Sequence, residues 1–246
     1  MFDVLKQEVS RRIHPRLEPE FISTDYEGAA IRAIRASFPN AEIAGCLFHL
    51  GQSFWRRLQN EGLAVEYREE ENEEMRTYFH ALVAVAFLHL DDLQDGFDEL
   101  RRGAPRQLKP IFKYVEETYF RGCRRGRGRR TPMFPPEWWN CHSRVLGDLP
   151  RTTNSVEAWH RRLNSLMGKP NPSLYFALDQ LQREVQEIER DIERLSSGRS
   201  PEKKKNQYVE MGRRIQRVIS RYDEYKEDGE IVEFLKAIGH NIAGNL

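Results

Sequence analysis

The chain has 246 residues, of which 39% are hydrophobic and 31% charged, with 13 Phe, 9 Tyr, 4 Trp and a net charge of +1. That length allows one large domain or two small ones, and the aromatic content excludes a wholly disordered chain. A balanced charge decides nothing about nucleic acid, so local clusters must be read instead.

Three cysteines, Cys46, Cys123 and Cys141, form no regular framework. This odd count, with no basic-then-apolar leader at Met1–Lys6, points to a reducing intracellular compartment and not to secretion. The longest apolar run, Ala81 to Leu90, is interrupted by His89 and too short to span a bilayer, so no membrane partner is expected.

In chain order, Leu5, Val9 and Ile13 predict a first helix that Pro15 ends. Glu20 to Thr24 reads as a strand, Tyr26 to Phe38 as a helix broken by Pro39-Asn40, and Ala41 to Leu47 as a second strand. A helix follows from about Leu50 to Asn60. This alternation predicts an α/β unit with parallel strands. Residues 66–74 carry six Glu and read as a solvated helix start. Residues 75–102 predict one or two buried helices, and 108–122 another. Arg121 to Arg130 holds six arginines among glycines and predicts an exposed, mobile, basic loop. Beyond it, Pro132, Pro135 and Pro136 keep the chain extended as far as Glu137-Trp138-Trp139.

The last third carries two apolar seams at heptad spacing. One runs Leu178, Leu181, Val185, Ile188, Ile192, Leu195, the other Tyr208, Met211, Ile215, Val218, Tyr222, Tyr225. Residues 178–195 hold six acids and three bases, net −3; residues 203–226 hold eight bases and three acids, net +5. Short connection and opposite charge predict an antiparallel helical hairpin, a coiled-coil-like tail over 171–246 that could also form a homodimer.

Several residues are candidates for chemistry, each with a plainer explanation beside it. Asp25 follows a strand and opens a helix. It could be an acid at a strand's carboxyl end, where α/β units place ligands, or Thr24-x-x-Glu27 could be a capping box. Asn154-x-x-Glu157 could likewise be a capping box, or Glu157 could be a metal-ligand carboxylate held on a rigid helix. Cys46-x-x-His49 could be half a zinc site completed by Cys141-His142, although adjacent residues rarely share a tetrahedral ion, or Cys46 could simply be core. Glu157-x-x-His160 puts two ligand-capable groups on one helix face, or His160 is simply a surface or interface histidine.

Taken together, Ser23-Thr24-Asp25-Tyr26-Glu27-Gly28-Ala29, Phe38-Pro39-Asn40-Ala41, Gly45-Cys46-Leu47-Phe48-His49-Leu50, Gly62-Leu63, Tyr67, Trp138-Trp139-Asn140 and Arg151 to His160 resemble the Mutator-like (MULE) transposases over residues 1–170. The resemblance implies a ribonuclease-H-like fold with a DDE acid triad, interrupted by an all-helical insertion over about residues 50–137. Asp25 would be the second acid and Glu157 the third, both metal ligands. Cys46 and His49 would support the site, with Asn154 and His160 beside the third acid. The implied parent activity is DNA cleavage and strand transfer in transposition, with transposon-end DNA as partner and a nuclear location within the cell. Two Mg²⁺ or Mn²⁺ ions would activate the nucleophile and stabilise the leaving oxygen. Arg124, Arg125, Arg127, Arg129 and Arg130 could neutralise DNA phosphates. The family's first acid precedes the second by several dozen residues. Only 24 residues precede Asp25 here, and Asp3 lies on the first helix. The expected fold is therefore α/β but mainly α, with a partial, N-terminally truncated core that is catalytically incomplete. The alternative is a non-enzymatic, helical DNA- or protein-binding protein.

Overall fold

Two short apolar stretches set the N-terminal topology. In the computed structural model, which describes residues 2–12, 17–126, 128–168, 170–199 and 206–245, helix α1 (Phe2–Arg12) precedes strand β1 (Phe21–Thr24). Helix α2 (Gly28–Ser37) connects it to strand β2 (Glu42–Gly45). The strands pair in parallel, Phe21 with Glu42 through Thr24 with Gly45, as the helical crossover between them requires. Helix α2 buries Ile31 and Ile34. Helix α3 (Leu47–Asn60) starts directly after β2 and buries Leu47, Leu50, Phe54 and Leu58, an i, i+3, i+7, i+11 stripe.

The middle of the chain is helical: α4 (Ala64–Arg68), α5 (Glu73–Ala84), α6 (Leu93–Gly103) and α7 (Lys109–Val115), the last continuing into a π-helical turn at Glu116–Phe120. Residues 81–88 are buried without interruption. This run is apolar on every side and has core all around it. A two-residue hairpin, β3 (Arg124–Arg125) and β4 (Gly128–Arg129), is followed by short helices α8 (Pro136–Trp139) and α9 (His142–Leu146). The C-terminal helices are α10 (Asn154–Met167), α11 (Leu174–Ser196), α12 (Asn206–Ile219), α13 (Tyr222–Glu227) and α14 (Ile231–Ile242). The protein is thus mainly helical with a small parallel sheet, and no helix among the described residues is long and apolar enough to cross a membrane.

The chain divides into two compact units. Unit 1 comprises residues 1–153 and 211–246, unit 2 residues 154–210. In unit 1, α14 lies along α5 in the most extensive helix packing of the fold. Its stripe of Ile231, Phe234, Leu235, Ile238 and Ile242 is buried there, each large side chain contributing about 1.5–3 kcal/mol. Gly239 lies on the same stripe. A Cβ at that position would come within 2.8 Å of the Ala81 nitrogen and 2.9 Å of the His80 carbonyl carbon, so the backbones of α5 and α14 approach as closely as they do only because residue 239 has no side chain.

The two heptad seams have different fates. In unit 1, Ile215, Ile219 and Tyr222 are buried, with Met211, Val218 and Tyr225 packed against the same core. Tyr222 meets Phe234 and His142 edge-on and donates its hydroxyl proton to Asp92 at 2.9 Å. From Met211 onward the second seam therefore belongs to the core of unit 1, divided between α12 and α13 at Ser220-Arg221, while Tyr208 is exposed and falls in unit 2. In unit 2, the first-seam residues Leu178, Leu181, Val185, Ile188, Ile192 and Leu195 on α11 remain 40–57% exposed. The turn expected between the seams includes residues 200–205, outside the described residues. Within unit 2, α10 packs on α11 through the buried Glu184, which accepts a 2.9 Å hydrogen bond from the Trp159 indole and pairs with Arg162. The sequence boundary expected near residue 170 falls inside this unit.

From Cys123 on, the described residues of the arginine–glycine segment are exposed, as expected, and form a short hairpin tethered by ion pairs. Arg129 donates to Glu116 at 2.9 Å and to the Gly122 carbonyl at 3.1 Å. Arg121 donates to Asp98 at 2.9 and 2.5 Å and to Glu116 at 3.2 Å, and Arg101 reaches Glu116 at 2.9 Å. Burial pushes the Glu116 carboxyl up, but Arg121, Arg129 and Arg101 outweigh it and hold it below its ordinary range. A carboxylate taken out of water requires such cations, and this requirement pins both ends of the hairpin.

Candidate functional site

The two strands deliver the candidate residues side by side. Asp25 immediately follows β1 and Cys46 immediately follows β2, where the Cys46 amide donates to the Thr24 carbonyl at 3.1 Å. His49 lies one turn into α3, three residues after Cys46. Its Nδ1 is 2.9 Å from Asp25 Oδ1. Ligand-capable atoms of Asp25, Cys46 and His49 all lie within 4.8 Å of one another, the one such group of three among the described residues. Cys46 is fully buried, while the Asp25 side chain is 54% and the His49 side chain 25% exposed.

A third chain segment closes the site. The Leu47 amide donates to the Arg151 carbonyl at 2.9 Å, which draws residues 151–153 against the start of α3. Thr153 then directs both its amide and its hydroxyl at Cys46 Sγ, each at 3.4 Å, with the hydroxyl also 3.5 Å from Asp25 Oδ1. One hydroxyl proton serves one acceptor at a time. Below the site, buried Arg144 donates to the carbonyls of Gly45, Asn140 and Trp139 and to Cys141 Sγ, tying the end of β2 to the segment before α9. Tyr26 lies over Gly45, where an added Cβ would meet the phenol oxygen at 2.6 Å. The Tyr26 ring packs edge-on against Tyr119 and Phe134, and burial raises its hydroxyl well above the usual value.

The capping alternative for Asp25 fails. Thr24 is the last residue of β1, α2 starts at Gly28, and its N-cap is Glu27, with no side-chain cap. Cys141 and His142 do not join Cys46 and His49 in the cluster. Burial raises the Cys141 thiol, which accepts from Arg144, and His142 Nδ1 is 2.9 Å from the Phe87 carbonyl.

Asn154, Glu157 and His160 lie on α10 in unit 2. Asn154 and His160 are exposed and Glu157 is partly buried. Glu157 occupies the first turn, where a carboxylate favours the helix dipole. Of the basic residues, Arg124, Arg125 and Arg130 are exposed and Arg129 is engaged by Glu116. Arg127 lies outside the described residues. Thr153 and Arg144 were not singled out from the sequence. Thr153 at least sits inside the Arg151–His160 stretch, whereas an isolated arginine gives no periodic or spacing signal.

No family model, curated protein or solved structure matches the chain.

The Mg²⁺ pair implied by the sequence resemblance can be tested against the donors gathered at Asp25. They are one carboxylate, one thiol and one imidazole. Mg²⁺ takes oxygen ligands in octahedral geometry, so this group does not fit it.

Proposed function

We propose that the chain derives from a Mutator-like DDE transposase and that these 246 residues serve in binding rather than in strand cleavage. The observation that carries this reading is the convergence of Asp25 with the Cys46-x-x-His49 pair beyond the carboxyl ends of two parallel strands, the position where α/β units hold their ligands. The ribonuclease-H-like ancestry of the β1–α2–β2 unit and the reading of residues 50–137 as an insertion belong to the same proposal. Two of the family's three acids have counterparts here, Asp25 and Glu157, and three carboxylates are needed to position two metal ions. The parent reaction is therefore assigned to the lineage and not to this polypeptide. DNA would be held without sequence preference by the exposed Arg124, Arg125 and Arg130, through phosphate charge.

The test has two arms. Supercoiled plasmid incubated with the protein and Mg²⁺ is expected to stay intact, and nicking abolished by Asp25→Ala would overturn the non-cleaving assignment. In fluorescence anisotropy at low salt, duplex DNA is expected to bind weakly and to lose affinity in the triple variant Arg124→Ser, Arg125→Ser, Arg130→Ser. Unchanged affinity would remove DNA as the partner.

A second reading, a helical protein-binding module, is favoured by one observation: the heptad seam of α11 is left exposed. Its simplest partner is a second copy of the chain.

A further inference from the structure

We propose that Asp25, Cys46 and His49 form a site for one borderline divalent transition-metal ion of the zinc type. This rests on the cluster used for the proposed function and names the ligand of that site.

Donor chemistry comes first. A thiolate, an imidazole and a carboxylate are the ligands zinc accepts, and a thiolate disfavours the hard cations. Geometry comes second. Zinc bond lengths of about 2.0–2.3 Å put tetrahedral ligand atoms roughly 3.3–3.8 Å apart. The three candidate atoms already lie within 4.8 Å of one another, at most about 1 Å beyond those separations. The backbone is fixed on all sides: Asp25 and Cys46 leave hydrogen-bonded strands, and His49 stands on the first turn of α3.

The environment of the sulfur is the third point. A core cysteine needs no donors, yet Thr153 aims an amide and a hydroxyl at Cys46 Sγ. Hydrogen bonds to a ligating sulfur or carboxylate are the outer-shell support that metal sites use to orient and stabilise their ligands. The His49–Asp25 contact would by itself be satisfied as a hydrogen bond. It leaves unexplained why a buried sulfur with two donors occupies the same spot.

Access is the fourth. Asp25 and His49 are partly open to solvent, so the ion has an entry path and a solvent molecule can supply the fourth ligand. Three protein ligands with one open position are the arrangement of reactive, not purely structural, zinc sites. Binding would release the Cys46 thiol proton to solvent, together with any proton on His49. Affinity should therefore fall at low pH.

The experiment is a Co²⁺ titration of the full chain, stripped with chelator and kept reduced. The expected result is one Co²⁺ per chain with thiolate-to-cobalt charge-transfer absorption, displaced by Zn²⁺ and indifferent to excess Mg²⁺. The absorption should vanish in Cys46→Ser and persist in Cys123→Ser, and affinity should drop roughly tenfold or more in Asp25→Asn and His49→Gln. Circular dichroism on each variant separates ligand loss from unfolding. Should Cys46→Ser not fold, the accessible Asp25→Asn carries the test. Absence of the band in the native chain, its survival in Cys46→Ser, or undiminished affinity in a folded Asp25→Asn would overturn the proposal. The DNA experiments above read neither cobalt nor Cys46, so the transposase ancestry can stand if the metal site falls, and the reverse.

Discussion

Arg129 in the basic hairpin donates to Glu116 in the π-helical turn at 2.9 Å, across thirteen residues of chain. This contact divides the arginines of the segment into two groups. Arg121 and Arg129 hold structure, and Arg124, Arg125 and Arg130 face solvent. Replacing Glu116 by Gln should destabilise unit 1 by roughly 2–3 kcal/mol, below the full range for a buried pair because Arg101 and Arg129 are partly hydrated. Replacing any of the three exposed arginines by Ser should change stability by less than about 0.5 kcal/mol. Urea unfolding of the four variants checks both statements.

His80 supplies a pH dependence. Burial, followed by Arg76 and His240, lowers its value from 6.5 to about 4, and its Nε2 is 3.0 Å from the Tyr67 hydroxyl. Between those pH values the unfolded chain takes up a proton that the folded chain refuses. The stabilisation is therefore complete above about pH 6.5 and is lost as the pH falls toward 4. Discounted for the part of the ring that meets solvent, the loss should be about 1 kcal/mol. Thermal melts across this window should show a shallower decline in His80→Gln than in the native protein; parallel declines would remove His80 as the source.

Gly239→Ala sets two effects against each other. Helix propensity favours alanine by about 1 kcal/mol. The new methyl group would press on the backbone of Ala81 and His80, which cannot turn aside as a side chain can, and overpacking of this kind costs about 1–3 kcal/mol. The clash should win, giving a net loss of up to about 2 kcal/mol in chemical denaturation. A more stable variant would show that α14 can slide on α5.

The exposed seam of α11 predicts self-association. Sedimentation velocity should show concentration-dependent dimers, lost in the double variant Leu181→Asp, Ile188→Asp. Both positions are at least 40% exposed, so the variant should still fold. A monomer at every concentration would leave α11 without a second copy as its partner.

The elements with strong period were legible in the sequence. The two strands and their parallel pairing, the buried run at 81–88 and the long helix α11 follow from apolar spacing, and Asp25 with Cys46 and His49 was nominated by motif order. What could not be read was decided by long-range partners. The arginine–glycine segment carries no apolar residue to pack, and only the buried Glu116 shows why it is tethered. The second seam has a coiled-coil period, yet a 3-4 spacing serves any helix with one buried side, and α12 spends it on unit 1 beside Phe234 and Leu235. Glu184 is one of the six acids counted over 178–195, yet Trp159 and Arg162 hold it buried. Thr153 emerged only because the Leu47 amide binds the Arg151 carbonyl.

Unit 1 is assembled from two separate stretches of the sequence, 1–153 and 211–246, with residues 154–210 intervening in chain order. During synthesis residues 1–153 leave the ribosome before α14, so the face of α5 that α14 covers stays bare until residues 231–242 follow. A nascent chain stopped anywhere before residue 231 would present that apolar face to water, a sticky intermediate of the kind chaperones capture. Small losses within α14 should therefore remove the protein from the cell more completely than equally small losses within α11.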